Sequence, residues 1–107
     1  MLSVIIPTLN AETTLGETLA ALVPAVVEGV VKEVIVVDGG SSDGTERIAD
    51  IAGATFLQAP RGRGSQLAAG AKRARFAWLL FLHADTVLQP GWEREAQTFM
   101  ERIESGR

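Results

Sequence analysis

Cysteine is absent from the 107 residues, so neither a disulfide framework nor thiolate chemistry is available, and the chain fits a reducing compartment such as the cytoplasm. Long apolar runs are missing as well. The run that most invites a membrane reading, Phe76 to Leu82, is far short of the roughly 20 residues a spanning helix needs. Met1 to Ile6 has no basic start and no extended apolar region, so it does not read as a signal peptide. Excess positive charge is also lacking: 10 Lys and Arg against 13 Asp and Glu give a formal net charge of -3, which removes the electrostatic reason to expect nucleic acid as a partner. Internal repeats and low-complexity tracts are absent. So is a G-x-G-x-x-G after the first strand, where Pro7-Thr-Leu-Asn10 stands instead. That excludes a nicotinamide-dinucleotide enzyme, because its pyrophosphate has to meet the helix backbone at that turn.

What is present is a globular composition, 47% apolar and 21% charged, in a chain long enough for one core and too short for two domains. The whole chain is therefore read as one unit, residues 1–107. It is organised around Val34-Ile-Val-Val-Asp-Gly-Gly-Ser-Ser-Asp-Gly-Thr45. Val34 to Val37 show no polar alternation, as expected of a strand covered on both faces in a parallel sheet. Asp38 stands where that strand ends. Gly39 and Gly40 permit close approach of a ligand, and Ser41, Ser42 and Asp43 offer caps for a following helix.

The other segments repeat this alternation. Ser3 to Ile6 is a first strand closed by Pro7. A helix follows with Leu15, Leu19, Leu22 and Val23 on one face, capped by Asn10 or Thr14 and stopped or kinked at Pro24. Ala25 to Glu33 is an irregular connection. Thr45 to Ala52 forms a short helix with Ile48, Ile51 and Ala52 inward, and Ala54 to Gln58 a third strand. After the basic loop Pro60 to Gly64, Ser65 caps a helix whose Leu67, Ala68, Ala71 and Ala74 face the sheet. Phe76 to Leu82 is the fourth strand. Pro90 opens a last helix carrying Trp92, Ala96, Phe99, Met100 and Ile103 at helical spacing. Strands alternating with helices predict an α/β fold, a Rossmann-like and mainly parallel sheet flanked by helices, with ligands outside the carboxyl ends of the strands.

Three motifs in order carry a resemblance to the family-2 glycosyltransferases. Val37-Asp-Gly-Gly-Ser-Ser-Asp-Gly-Thr45 is similar to the family's V-D-D/G-x-S-x-D-x-T signature, Ser3 to Asn10 to its opening strand and P-x-x-N element, and Leu82-His-Ala-Asp-Thr86 falls where the family has its D-x-D. The resemblance implies the N-terminal half of a GT-A fold, which binds a UDP- or GDP-linked sugar with Mn²⁺ or Mg²⁺. It also implies that the acceptor half, which in the family carries the catalytic base, is absent here. Membrane-surface attachment is implied by the resemblance alone. A sheet ending at the fourth strand would leave an apolar edge or face and favour self-association.

Each candidate residue has a functional and a plainer role. By resemblance, Asp38 accepts from base or ribose, with Thr8 and Asn10 lining the same pocket; otherwise Asp38 starts an Asx turn. Asp43 is a ligand or only a helix cap. Asp85 is expected to hold the divalent cation, which one or two carboxylates and the substrate phosphates commonly share. His83 stands where the family more often has aspartate; it either ligates metal or bonds ribose or phosphate, or it is a turn residue. Arg61 and Arg63, of which the resemblance favours Arg63, are placed to meet phosphate or nucleotide, or are solvated. Glu12 is displaced by one inserted alanine from the family's adjacent N-E pair. Trp78, Trp92 and Phe99 read as core rather than sugar-stacking residues. The competing function is a non-catalytic nucleotide-binding or interaction module.

Overall fold

The unalternated Val34–Val37 run lies inside a longer strand, β2 (Val31–Asp38), where Ile35, Val36 and Val37 are completely buried. It is flanked on one side by β1 (Leu2–Thr8), and on the other by β3 (Thr55–Gln58). The fourth strand, β4 (Trp78–Phe81), pairs with the far edge of β1. All pairings are parallel, and the order is β3-β2-β1-β4 in this computed structural model, which describes residues 1–106. The intervening helices are α1 (Leu15–Ala20), α2 (Val23–Val27), α3 (Thr45–Ile51), α4 (Arg63–Arg73) and α5 (Trp92–Glu104).

Strand periodicity divides the core between two layers. Val4, Ile6 and Val36 point to one face and pack with Leu15 and Leu19 of α1, Ala25 of α2, Ala49 of α3 and Met100 of α5. Ile5, Ile35 and Val37 point to the other, which carries Leu67, Ala69 and Ala71 of α4 and the adjacent Ala74. The expected Rossmann-like sheet is therefore present, and its β2 strand is covered on both faces as expected. On β4 the α4 side is thinly covered, leaving Leu79 and Phe81 37% and 49% exposed.

Several local expectations are corrected. Pro7 does not close the first strand, because β1 continues to Thr8 and Pro7 pairs in register with Val37. The Leu82 N–H donates to the Ile5 carbonyl, so alternate residues from Ile5 aim their backbone groups towards β4; Pro7 lies beyond the last paired residue on that side, and its missing N–H breaks no ladder bond. The first helix is two helices, since Pro24 sits in the first turn of α2, where a proline has no N–H to lose, rather than ending a helix. Val31 to Glu33, expected in a connection, belong to β2. Ile51 and Ala68 face solvent, with buried Ala49 and Gly70 taking their places, and Ala52 is also exposed. Ser65 lies within α4, whose N-cap is Gly62, and Phe76 and Ala77 precede β4. Phe99 is 57% exposed and packs edge-on against Trp78, with ring centroids 6.0 Å apart.

The Val31–Glu33 error has a physical cause, because Glu33 is a charged residue on a buried strand. Its Oε1 accepts from the Ser3 hydroxyl at 2.7 Å and the Arg75 N–H at 2.9 Å, and its Oε2 from Arg75 Nε at 3.1 Å, with Arg73 Nη1 at 3.5 Å. Burial acts to raise its pKa, but the Arg75 backbone, Ser3 and Arg75 side-chain bonds outweigh it and hold the carboxyl below the usual value. A lowered folded pKa means that this contribution is present above the unfolded pKa, near 4.5, and is lost as pH falls through the folded value. Glu33→Gln should therefore cost roughly 1–3 kcal/mol at neutral pH, and the gap to wild type should narrow on acidification. Urea midpoints at pH 7 and pH 3 check this; a gap that does not narrow would contradict it.

Candidate functional site

In a parallel sheet every strand ends on the same side, so Thr8 of β1, Asp38 of β2 and the His83–Thr86 turn after β4 emerge along one rim. The loops after β1 and β2 are joined by a dense set of bonds. The Gly39 N–H donates to Thr8 O at 3.0 Å, Asn10 N–H to Ser41 Oγ at 2.7 Å and Ser42 N–H to Asn10 Oδ1 at 2.8 Å. Further out, the Ala11 N–H donates to Thr45 Oγ1 at 2.9 Å. Asn10 adopts a left-handed conformation, φ 51°, which asparagine tolerates better than most residues. Thr8 and Asn10 thus do meet the Asp38 turn, as the sequence suggested.

Asp38 is 1% exposed and its carboxylate is fully engaged. Oδ1 accepts from the Thr8 hydroxyl at 2.7 Å and from the Ser41 hydroxyl; Oδ2 accepts from the N–H groups of Gly40 at 3.0 Å and Ser41 at 2.7 Å. Burial raises its pKa, but the Ser41, Thr8 and Gly40 donors more than offset this and hold it below the ordinary aspartate value. With about four acceptor positions on a carboxylate, none is spare, and the residue makes the Asx-type turn that shapes Gly39 to Ser41. Asp43 likewise accepts from the Thr45 hydroxyl and N–H at the start of α3, the hydroxyl bond contributing most to its lowered pKa, and from the Glu12 N–H at 3.2 Å. Glu12 returns a bond, its Oε1 accepting from the Gly44 N–H at 2.6 Å. Its displacement by one residue therefore leaves it a clamp between the two loops.

The third part of the rim is basic. No acid occurs between Asp50 and Asp85, whereas Arg61 and Arg63 fall within that stretch at the head of α4. Arg63 Nη2 lies 2.7 Å from His83 Nε2, which joins α4 to the turn after β4. Guanidinium has only donors, so Nε2 accepts and the proton of a neutral ring sits on Nδ1. A small cavity of about 50 Å³ lies beneath them, between Pro7, Leu67 and Phe81. Asp85 is exposed and has no protein partner among the described residues. No group of three or more His, Asp or Glu converges there among those residues. One free carboxylate, open to solvent, suits a hard divalent cation whose remaining positions are filled by phosphate oxygens and water.

Gln66 was missed in the sequence. It is 5% exposed, its Nε2 donates to Thr8 O and Val37 O, both at 2.9 Å, and its Oε1 accepts from the Gly62 N–H at 3.1 Å. The available signal was its spacing, since it lies four residues before Gly70 on the sheet-facing side of α4. A larger concavity, about 620 Å³, lies elsewhere, an apolar groove between α1, α2 and α3 at the starts of β2 and β3. The rim is the better candidate, because convergent polar groups rather than volume define a site for a charged ligand. Trp78 and Trp92 pack against the core layer shared with α1 and α5.

A four-stranded parallel sheet with its acid-and-glycine turn at the central strand end is the Rossmann-like arrangement of GT-A glycosyltransferases. Residues 3–106 match the family model for glycosyl transferase family 2, and the chain belongs to that family. It is 43% identical over 56 residues to glucosyl-3-phosphoglycerate synthase of Mycolicibacterium paratuberculosis (strain ATCC BAA-968 / K-10), a match covering 52% of this chain and 17% of that protein. The M. tuberculosis glucosyl-3-phosphoglycerate synthase, solved with Mn²⁺, UDP and glucosyl-3-phosphoglycerate, superposes with a TM-score of 0.65 at 29% identity, over 78% of this chain and 33% of that one. S. aureus TarS 1-349 in complex with UDP-GlcNAc gives 0.79 at 26% identity, over 94% and 31%. The chain thus spans about a third of these solved relatives.

Proposed function

We propose that these residues form the donor-binding half of a glycosyltransferase, taking a nucleotide-diphosphate sugar, with UDP favoured over GDP, together with Mn²⁺ or Mg²⁺. The observation that supports this most is the union at one rim of a glycine-rich turn, an arginine pair and Asp85, which has no partner among the described residues. The relatives bound to UDP or UDP-GlcNAc share this fold, which supports the choice of nucleotide. In this reading Gly39 to Ser41 present backbone to the nucleoside, Thr8 and Asn10 support that turn, and Arg63 and His83 face the diphosphate. Because every lone pair of Asp38 is occupied, a direct bond to base or ribose would displace a Thr8 or Ser41 hydroxyl; its first role is to hold the turn.

Asp85 would hold the metal, which when bound neutralises the departing diphosphate. The acceptor site and the catalytic base are not assigned to any of these residues, so the chain is expected to bind donor without completing transfer. Nucleotide binding or interaction alone, without transfer, is the second reading. Calorimetric titration of UDP and GDP with and without Mn²⁺, beside an assay for acceptor-dependent transfer by residues 1–107, tests both. No measurable binding of either nucleotide would remove the donor reading, and robust transfer would remove the half-domain reading.

No helix among the described residues is long and apolar enough to cross a membrane. The exposed Leu79 and Phe81 on edge strand β4 favour self-association. Light scattering should show species larger than a monomer as concentration rises, and a monomer throughout would contradict this.

A further inference from the structure

We infer that Gln66 is a positioning residue for the donor site, setting the separation between the turn after β2 and the arginine-bearing start of α4. The inference rests on the donor reading for its functional consequence but not for its geometry. Three backbone pieces meet around this one side chain: Thr8 at the end of β1, Val37 just before Asp38, and Gly62 just before Arg63. Two of them present carbonyl oxygens and the third an N–H. A primary amide answers this demand, giving two donors from its nitrogen and one acceptor from its oxygen, and the reversed amide would set oxygen against two carbonyls.

Substitutes fail for identifiable reasons. Asparagine is one methylene short of spanning the three groups. Glutamate offers only acceptors when ionised, lysine only donors, and an apolar side chain removes all three bonds and takes the acceptor from the Gly62 N–H. Packing also locks the position. A Cβ on Gly39 would stand 2.9 Å from Gln66 Oε1 and 3.2 Å from Arg61 Cα, so the glycine turn and the arginine loop touch across this amide. Gln66 is buried and acts through its neighbours. Moving Gly62 moves Arg63 and hence its bond to His83, and moving Val37 O moves Asp38 and the turn it organises.

Gln66→Glu is the informative variant because it keeps the shape and reverses the hydrogen-bonding sense. While ionised, its carboxylate faces the Thr8 and Val37 carbonyls, so the head of α4 should part from the turn. When protonated at lower pH, it can again donate one bond while accepting from Gly62. Wild type and variant are each titrated with UDP and Mn²⁺ by calorimetry at pH 8 and pH 6, with amide exchange of Gly62 and Gly39 followed by NMR without nucleotide. The charged groups on the elements meeting there are Asp38, Arg61 and Arg63, with His83 beyond Arg63, and the wild-type series at both pH values is the control for any pH dependence that does not come from position 66.

The expected result is a loss of about tenfold in UDP affinity at pH 8 that shrinks at pH 6, with faster Gly62 exchange at pH 8. UDP affinity and Gly62 exchange equal to wild type at pH 8 would overturn the inference, as would an affinity loss identical at both pH values, which is what simple destabilisation produces. If wild type binds no UDP, the donor reading fails, and the exchange arm alone decides whether Gln66 sets this geometry. If Gln66→Glu is unfolded at pH 8, Gln66→Asn takes its place: its short amide should weaken UDP binding and speed Gly62 exchange, and wild-type values for both would overturn the inference.

Discussion

Gly70→Ala is expected to destabilise the fold by about 1–2 kcal/mol, although alanine is normally the better helix former by about 1 kcal/mol. The reason is the closeness of α4 to the sheet. A Cβ at position 70 would stand 2.4 Å from Ile5 Cγ2 and 3.0 Å from Val37 Cγ2. Neither neighbour can yield cheaply, since both are completely buried and β-branched, with stiff χ1. Overpacking of this kind costs roughly 1–3 kcal/mol and outweighs the gain in propensity. Gly64→Ala is the control, because that position is exposed in the same helix and nothing lies within 4 Å of its added carbon. It should be neutral or stabilising by up to about 1 kcal/mol. Urea unfolding of both variants decides the matter, and a Gly70→Ala protein as stable as wild type would show that α4 can retreat without loss. Retreat would itself disturb the rim, since α4 carries Gln66 and Arg63.

The parts of this architecture that could be read in the sequence were those governed by local pattern. Val34 to Val37 had to be a two-sided strand because nothing polar interrupts them, and the small residues from Leu67 to Ala74 had to lie against something flat. Motif order then placed Thr8, Asn10, Asp38 and Asp85 at strand ends, and the structure puts them there. What could not be read was long-range. Glu33 looks like a surface residue until Ser3, Arg73 and Arg75 are brought to it, and a charge in the middle of Val31 to Val34 therefore made a strand look like a connection. Gln66 looks like a helix surface residue because periodicity counts polar side chains as outward, whereas its partners are backbone atoms of two strands.

The same limit applies to Asp38, whose position suggested a ligand contact but gave no sign of the four bonds its carboxylate accepts from Thr8, Gly40 and Ser41. Residue type and place did not distinguish an acid that receives a ligand from one that builds the turn beside it. The difference lies in how many lone pairs remain. By that measure Asp38 accepts four bonds and Asp43 three, whereas Asp85 has no partner among the described residues. Glu12, Asp38 and Asp43 therefore shape the loops, and in the proposed reading Asp85 is the acid left to a cation.

Asp85→Asn should lower the affinity for UDP in the presence of Mn²⁺ by between one and two decades, corresponding to the roughly 2–3 kcal/mol of a charge-assisted contact. The substitution keeps the shape of an exposed side chain that has no partner among the described residues, so the fold should be unaffected and the unfolding midpoint unchanged. Uridine, which has no phosphate for the metal to bridge, should bind the variant and the wild type equally. Asp38→Asn should behave differently on every count. An amide nitrogen in place of one carboxylate oxygen would meet either the Thr8 and Ser41 hydroxyls or the Gly40 and Ser41 N–H groups. The turn would loosen, stability would fall, and uridine and UDP would be weakened together with or without metal. Titrating UDP and uridine into the three proteins with Mn²⁺ and with chelator separates the two roles. Equal UDP affinity with and without metal, unchanged in Asp85→Asn, would remove the cation from this rim.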